Sequence, residues 1–199
     1  MQSPAKPQSR LPAEIASLEI VVALRRDDEN EVLVRELLRT RSNVRRLWPL
    51  PPRLPEDADV IFCELHADLP QALPWVPGQP SSALVTVLPP AQAPDLMLLR
   101  NCAPHAILHH PFTGNTVLAS LMVARSQFLY ERRLRTRIDK LDETLRAFRC
   151  VERAKAILMQ TRKLEEDEAY HFIRRQAMNR RVSINAVASA IVDSHEVLG

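Results

Sequence analysis

Three observations predict a two-part protein: an α/β fold built on a five-stranded parallel sheet, followed by a long coiled-coil helix and a C-terminal three-helix bundle. Five short apolar runs recur between Leu18 and Leu108, each bounded by Pro or polar residues, with helical or irregular stretches between them. From Val117 to Phe148 the chain has no Pro or Gly, although 16 Pro occur in its 199 residues. Beyond that helix, small and branched apolar residues recur at helical spacing in three short patterns.

Residues 1–17 carry Pro4, Pro7 and Pro12 among small and polar side chains, and are expected to form a disordered tail. The α/β domain is assigned to residues 18–116. Its strands are expected at Leu18–Leu24, Val44–Leu47, Val60–Cys63, Ala83–Leu88 and Ala106–Leu108, with a helix over Glu31–Arg39. Pro51, Pro52, Pro55, Pro70, Pro74, Pro77 and Pro80 crowd the later connections, which predicts short or irregular crossovers.

Residues 117–150 are expected to form a dimerisation helix. Leu134, Ile138, Leu141, Leu145 and Phe148 repeat at spacings of four and three, the signature of a coiled-coil seam, with charged residues filling the other positions. A helix packed on its own domain would share the pattern, but so charged a remainder leaves little else to cover the seam. A partner helix is implied, parallel or antiparallel. In residues 151–199, helices are expected over 152–161, 165–180 and 184–193, with Ser183 as N-cap of the third.

Composition narrows the function. The apolar runs are too short to cross a membrane and no basic-then-apolar leader opens the chain, so a cytoplasmic protein is expected. Cys63, Cys102 and Cys150 are too widely spaced for a zinc motif and are expected to be reduced, mostly buried thiols. His109 and His110 are adjacent, so on a strand they point apart, which is poor ligand geometry. No metal, cofactor or catalytic set is expected: the chain lacks a nucleophile with its base, a phosphate loop and a metal cluster. Residues 131–181 hold 15 Lys and Arg against 9 Asp and Glu, whereas residues 1–130 hold 12 against 13, so any polyanion-binding surface belongs to the second half.

The five-strand pattern resembles the flavodoxin-like receiver domain of response regulators, whose strand ends carry an acidic pair, a phospho-accepting Asp, a hydroxyl and a Lys before a cis-prone Pro. The matching positions here hold Arg25 and Arg26, Glu64, Leu88 and His110. Magnesium needs oxygen ligands, so this set predicts a degenerate site without phosphotransfer. Asp27 and Asp28 lie two residues on, but sliding them into the acidic positions would draw both arginines into the strand and put Leu33, Val34 and Leu37 out of step. Glu64 facing Arg25 and Arg26 would form an ion pair that mimics an activated state; solvated surface charges are the alternative.

In the second half, Ala154-Lys155, Leu158-Met159, Glu168-Ala169, Ile173-Arg174, Ala177-Met178 and Val187-Ala188 follow the order and spacing of the ANTAR RNA-binding domain, with Ala156 where that family has Gly. The run Trp48-Pro49-Leu50-Pro51-Pro52 extends the likeness towards the front. After residue 17 almost the whole chain resembles the AmiR/NasT family of antiterminators. That resemblance implies a dimer that binds leader mRNA hairpins and prevents terminator formation. It also implies release by a small-molecule-sensing partner, an amide sensor in the AmiR case.

Helical spacing independently places Tyr170, Arg174, Met178 and Arg181 on one stripe, suited to stacking on unpaired bases and bonding phosphates, with Arg175, Arg180 and Lys155 adding positive potential. A DNA-binding atypical response regulator is the alternative. It is disfavoured because Ile184–Asp193 carries no Arg or Lys for a recognition helix.

Overall fold

The computed structural model describes residues 15–76, 78–89 and 93–198. The elements run β1 (Glu19–Ala23), α1 (Asp28–Arg39), β2 (Asn43–Arg46), β3 (Val60–Glu64), α2 (Leu69–Ala72), β4 (Ala83–Val87), α3 (Leu96–Cys102), β5 (Ala106–Leu108), α4 (Gly114–Arg162), α5 (Glu166–Arg180) and α6 (Ile184–Leu198). Two compact units meet within α4, one ending at Arg132 and the other beginning at Arg133.

In the first unit all five strands are parallel, in the order β2-β1-β3-β4-β5, the doubly wound arrangement of receiver domains. Because successive residues of a strand face opposite sides, β1 and β3 feed two cores. Ile20, Val22, Val60 and Phe62 pack with Leu33 and Leu37 of α1 and with Val117, Leu121 and Phe128 of α4. Val21, Ala23, Ile61 and Cys63 pack on the other face with Leu54, Leu69 and Leu84. Burial on both faces explains why these strands read as continuous apolar runs.

Asp27 caps α1, its Oδ1 accepting from the Asn30 backbone N–H at 2.7 Å. Arg25 and Arg26 therefore lie after β1, exposed, and the shifted register is excluded. The crossovers are as irregular as their prolines predict: α2 is a single turn, and between β2 and β3 the chain forms no helix. Within that stretch Leu54 is buried and its N–H donates to Ala72 O at 2.7 Å. Pro77 lies outside the described residues.

The expected tail needs correction at its end. Ile15 is buried in the α1-side core and its carbonyl accepts from Ser42 Oγ at 2.7 Å, so packing begins before Leu18. The preceding part of the tail is outside the described residues.

The helix expected over 152–161 is not separate from the dimerisation helix expected over 117–150. The helix continues from Gly114 to Arg162, and the first helix of the bundle is its last part. Nothing in Arg149-Cys150-Val151 breaks a helix; only the apolar face changes there, from the seam to the bundle core. Ala154 and Leu158 of α4 meet Ala169, Ile173 and Ala177 of α5 and Val187, Ala188 and Val192 of α6. A capping box starts α5, with Glu168 Oε2 accepting from the Glu165 N–H at 3.1 Å. Ser183 Oγ accepts from the Ala186 N–H at 3.1 Å, the N-terminal cap its type predicts for α6.

Candidate nucleic-acid interface

Two surfaces bear on function, one at the ends of the strands and one on the helical bundle. At the first, a cleft of about 190 Å³ is lined by Arg25, Asp27, Glu29, Glu64, Val87 and His110, among others. The Arg25 guanidinium stands in it beside three carboxylates, of which Asp27 is engaged as the cap of α1. Among the described residues Glu64 forms no ion pair with Arg25 or Arg26, so the fixed pair expected from the sequence is absent; both arginines are exposed. The charged contact in the cleft is instead His110 Nδ1 to Glu29 Oε2 at 2.7 Å, an ion pair when the imidazole is protonated. The His110–Pro111 peptide is cis. Leu88 also departs from expectation: it is buried in the core of the opposite sheet face, and Val87 lines the cleft. Sequence reasoning missed Glu29, because its partner lies 81 positions away on another strand end.

Neither Cys63 of β3 nor Cys102 at the end of α3 offers reactive chemistry. Burial pushes the Cys63 thiol up to about 12 and the Cys102 thiol up to about 11, so neither supplies a thiolate at neutral pH.

On the bundle, α5 buries Ala169, Ile173 and Ala177, and the residue after each of them opens outward. Tyr170, Arg174 and Met178 accordingly share one exposed flank, with Tyr170 38% and Met178 69% exposed. A phenol ring, a guanidinium and a thioether beside one another, none of them needed by the core, make a surface that can stack on bases and bond phosphate. Arg175 and Arg180 are exposed on the same helix.

Two of the expected residues stand elsewhere. Arg181 is the C-cap of α5 with φ 55°, so the chain turns left-handed there and Arg181 leaves the helical stripe while staying exposed at its end. Lys155 is buried, with its Nζ donating to Glu152 Oε1 at 2.9 Å and Glu166 Oε1 at 2.6 Å. Its charge is neutralised inside the unit, and it ties α4 to α5 rather than adding positive potential to the flank. The hydrogen bond it donates to Glu166, then that to Glu152, raises the lysine above its ordinary value, and the same contact lowers Glu166.

The seam residues are all exposed: Leu134, Ile138, Leu141, Leu145 and Phe148 range from 39% to 68%. No helix of the described residues is long and apolar enough to cross a membrane.

Comparison with known proteins assigns both parts. Residues 18–125, just over half the chain, match the AmiR N-terminal family, and residues 139–192 match the ANTAR domain. The chain belongs to the AmiR family. Similar to this AmiR-family chain is the aliphatic amidase regulator of Pseudomonas aeruginosa, 27% identical over 182 residues that cover 89% of this chain and 92% of that protein. The transcriptional regulatory protein PdtaR of Mycobacterium tuberculosis is 30% identical over 95 residues, 48% of this chain and 46% of its own. Among solved structures, a low-resolution structure of the response regulator StyR superimposes with a TM-score of 0.52 at 12% identity, covering 89% of this chain and 100% of that one. Both sequence relatives of this AmiR-family chain are named as regulators, and the StyR likeness agrees with the receiver fold of the first unit.

Proposed function

We propose that this AmiR-family chain is a transcription antitermination regulator, acting in the cytoplasm. It binds leader-mRNA hairpins as a homodimer and keeps a competing terminator hairpin from forming. The observation that carries this reading is the outward flank of α5, where Tyr170, Arg174 and Met178 stand exposed within the residues that match the ANTAR domain. Arg175, Arg180 and Arg181 add positive charge at the same helix, while Lys155 serves the bundle's internal packing.

The exposed seam from Leu134 to Phe148 supports the homodimer, since five apolar side chains in open solvent at coiled-coil spacing are satisfied by a partner helix. Pairing also raises affinity, because two linked weak hairpin contacts act at high effective concentration. Control belongs to a small-molecule-sensing partner protein rather than to phosphorylation, a reading supported by Arg25, Glu64 and His110 at the strand ends. DNA reading is not favoured: α6, the third helix of the bundle, has no Lys or Arg with which to contact phosphates or base edges.

The test is a titration of the full-length protein and its Arg174→Ala variant against the leader RNA of its own operon. Loss of about 1–3 kcal/mol, the range for one good base or stacking contact, is expected with the oligomer intact. Unchanged affinity would remove Arg174 from the interface.

A further inference from the structure

On α5 the residues that precede the buried positions form a second flank, opposite the one that carries Tyr170 and Arg174. Phe172, Gln176 and Arg180 stand there at intervals of four. Together with the end of α4 and with α6 they border an open groove of about 750 Å³. That lies within the ~300–1,000 Å³ of small-ligand clefts. Its apolar wall includes Ile157, Phe172 and Ile191; its polar edge includes Arg162, Arg180 and His195; no Asp or Glu lines it. The Arg162 guanidinium lies over the Phe172 ring at 4.6 Å from the centroid, and both groups border the groove.

We propose that this groove is a nucleotide-binding subsite that takes one unpaired base of the RNA, with the flanking phosphates held by Arg162 and Arg180. The inference rests on the RNA-binding reading above and adds a second contact surface to it. Charge decides the class of occupant. Another cleft of the same unit, about 450 Å³, is lined by Asp139, Asp142 and Glu143 beside a single arginine, Arg146, and would repel a polyanion. The groove reverses that balance with two guanidinium groups and no carboxylate among its lining residues, and it adds what phosphate alone does not need: an aromatic ring and branched apolar side chains. Arg180 borders the groove in the last turn of α5, next in sequence to the exposed Arg181 that caps the helix.

Two variants of the full-length protein test it. Ala190→Glu places a carboxylate among the groove's lining residues at an exposed helical position, and Ala190→Gln is its uncharged control. Leader RNAs carrying one abasic nucleotide at each loop position in turn are titrated against wild type and variants, with thermal unfolding recorded for each protein. The subsite predicts about tenfold weaker binding by Ala190→Glu, much less by Ala190→Gln, and one loop position whose abasic substitution weakens wild type but adds nothing to Ala190→Glu. Intact affinity of Ala190→Glu, or abasic losses that are the same in both proteins at every position, would overturn the groove. Arg174→Ala measured alongside separates the two claims. If it weakens binding while Ala190→Glu does not, RNA binding stands without the subsite; if wild type binds no leader RNA, both fall.

Discussion

Lys155 Nζ donates to Glu166 Oε1 across 2.6 Å, joining the last part of α4 to the first turn of α5. A lysine that the sequence presents as added positive potential beside the RNA-binding stripe is thereby committed to holding the bundle together. Its second acceptor, Glu152, lies on its own helix one turn back.

The pair makes the bundle's stability depend on pH in a stated direction. Glu166 is held below its ordinary value of 4.5, so its contribution is present above that value and is lost as pH falls through the depressed one. Lys155 is raised above 10.5, so its contribution is present below that value and is lost as pH rises through the raised one. A plateau through neutral pH is expected. In Lys155→Met the acid-side decline in melting temperature should become shallower, and RNA affinity of the folded variant should fall less than in Arg174→Ala. Acid slopes that coincide for both proteins would mean that the contact adds nothing to stability.

The strand-end cleft predicts an absence of phosphotransfer that a conservative change does not cure. Neither wild type nor Glu64→Asp should incorporate phosphate from a small acyl-phosphate donor with magnesium, because the Arg25 guanidinium lines the cleft and the carboxylates beside it are engaged, Asp27 by the α1 cap and Glu29 by His110. Intact-mass spectrometry reads this directly. A phosphorylated Glu64→Asp protein would show that the cleft still holds the metal.

Much of the fold was legible because local signals agree with the final structure. Val60–Cys63 and Ala106–Leu108 stand within a residue of their expected limits, since Pro and polar residues bracket both runs, and the first is buried on both faces. Ser183 and its cap were readable from residue type alone. What escaped are relationships across the chain. Glu166 lies eleven residues beyond Lys155, and Glu29 reaches His110 only because α1 begins on the side of the parallel sheet where β5 ends. The left-handed turn at Arg181 cannot be inferred from periodicity, which extends the stripe one residue past the end of the helix. Phe172, Gln176 and Arg180 did offer a signal, a repeat of four on α5, but it becomes a groove only once α4 and α6 supply the other walls.

The seam carries a prediction separable from RNA binding. Leu141 is 68% exposed, so Leu141→Asp disturbs no packing within the chain. It places a charge at the middle of the expected interface, and light scattering on a sizing column should show the monomer. A persistent dimer would move the interface off Leu134–Phe148.

The most direct measurement is a gel-shift titration of the purified protein against the leader RNA of its own operon. Duplex DNA of the same sequence serves as competitor, at two salt concentrations. An RNA-binding antiterminator predicts tight binding that weakens as salt rises, as phosphate contacts require, and that the duplex does not displace. Preference for the duplex would contradict it, and would discard the flank of Tyr170, Arg174 and Met178 as an RNA surface.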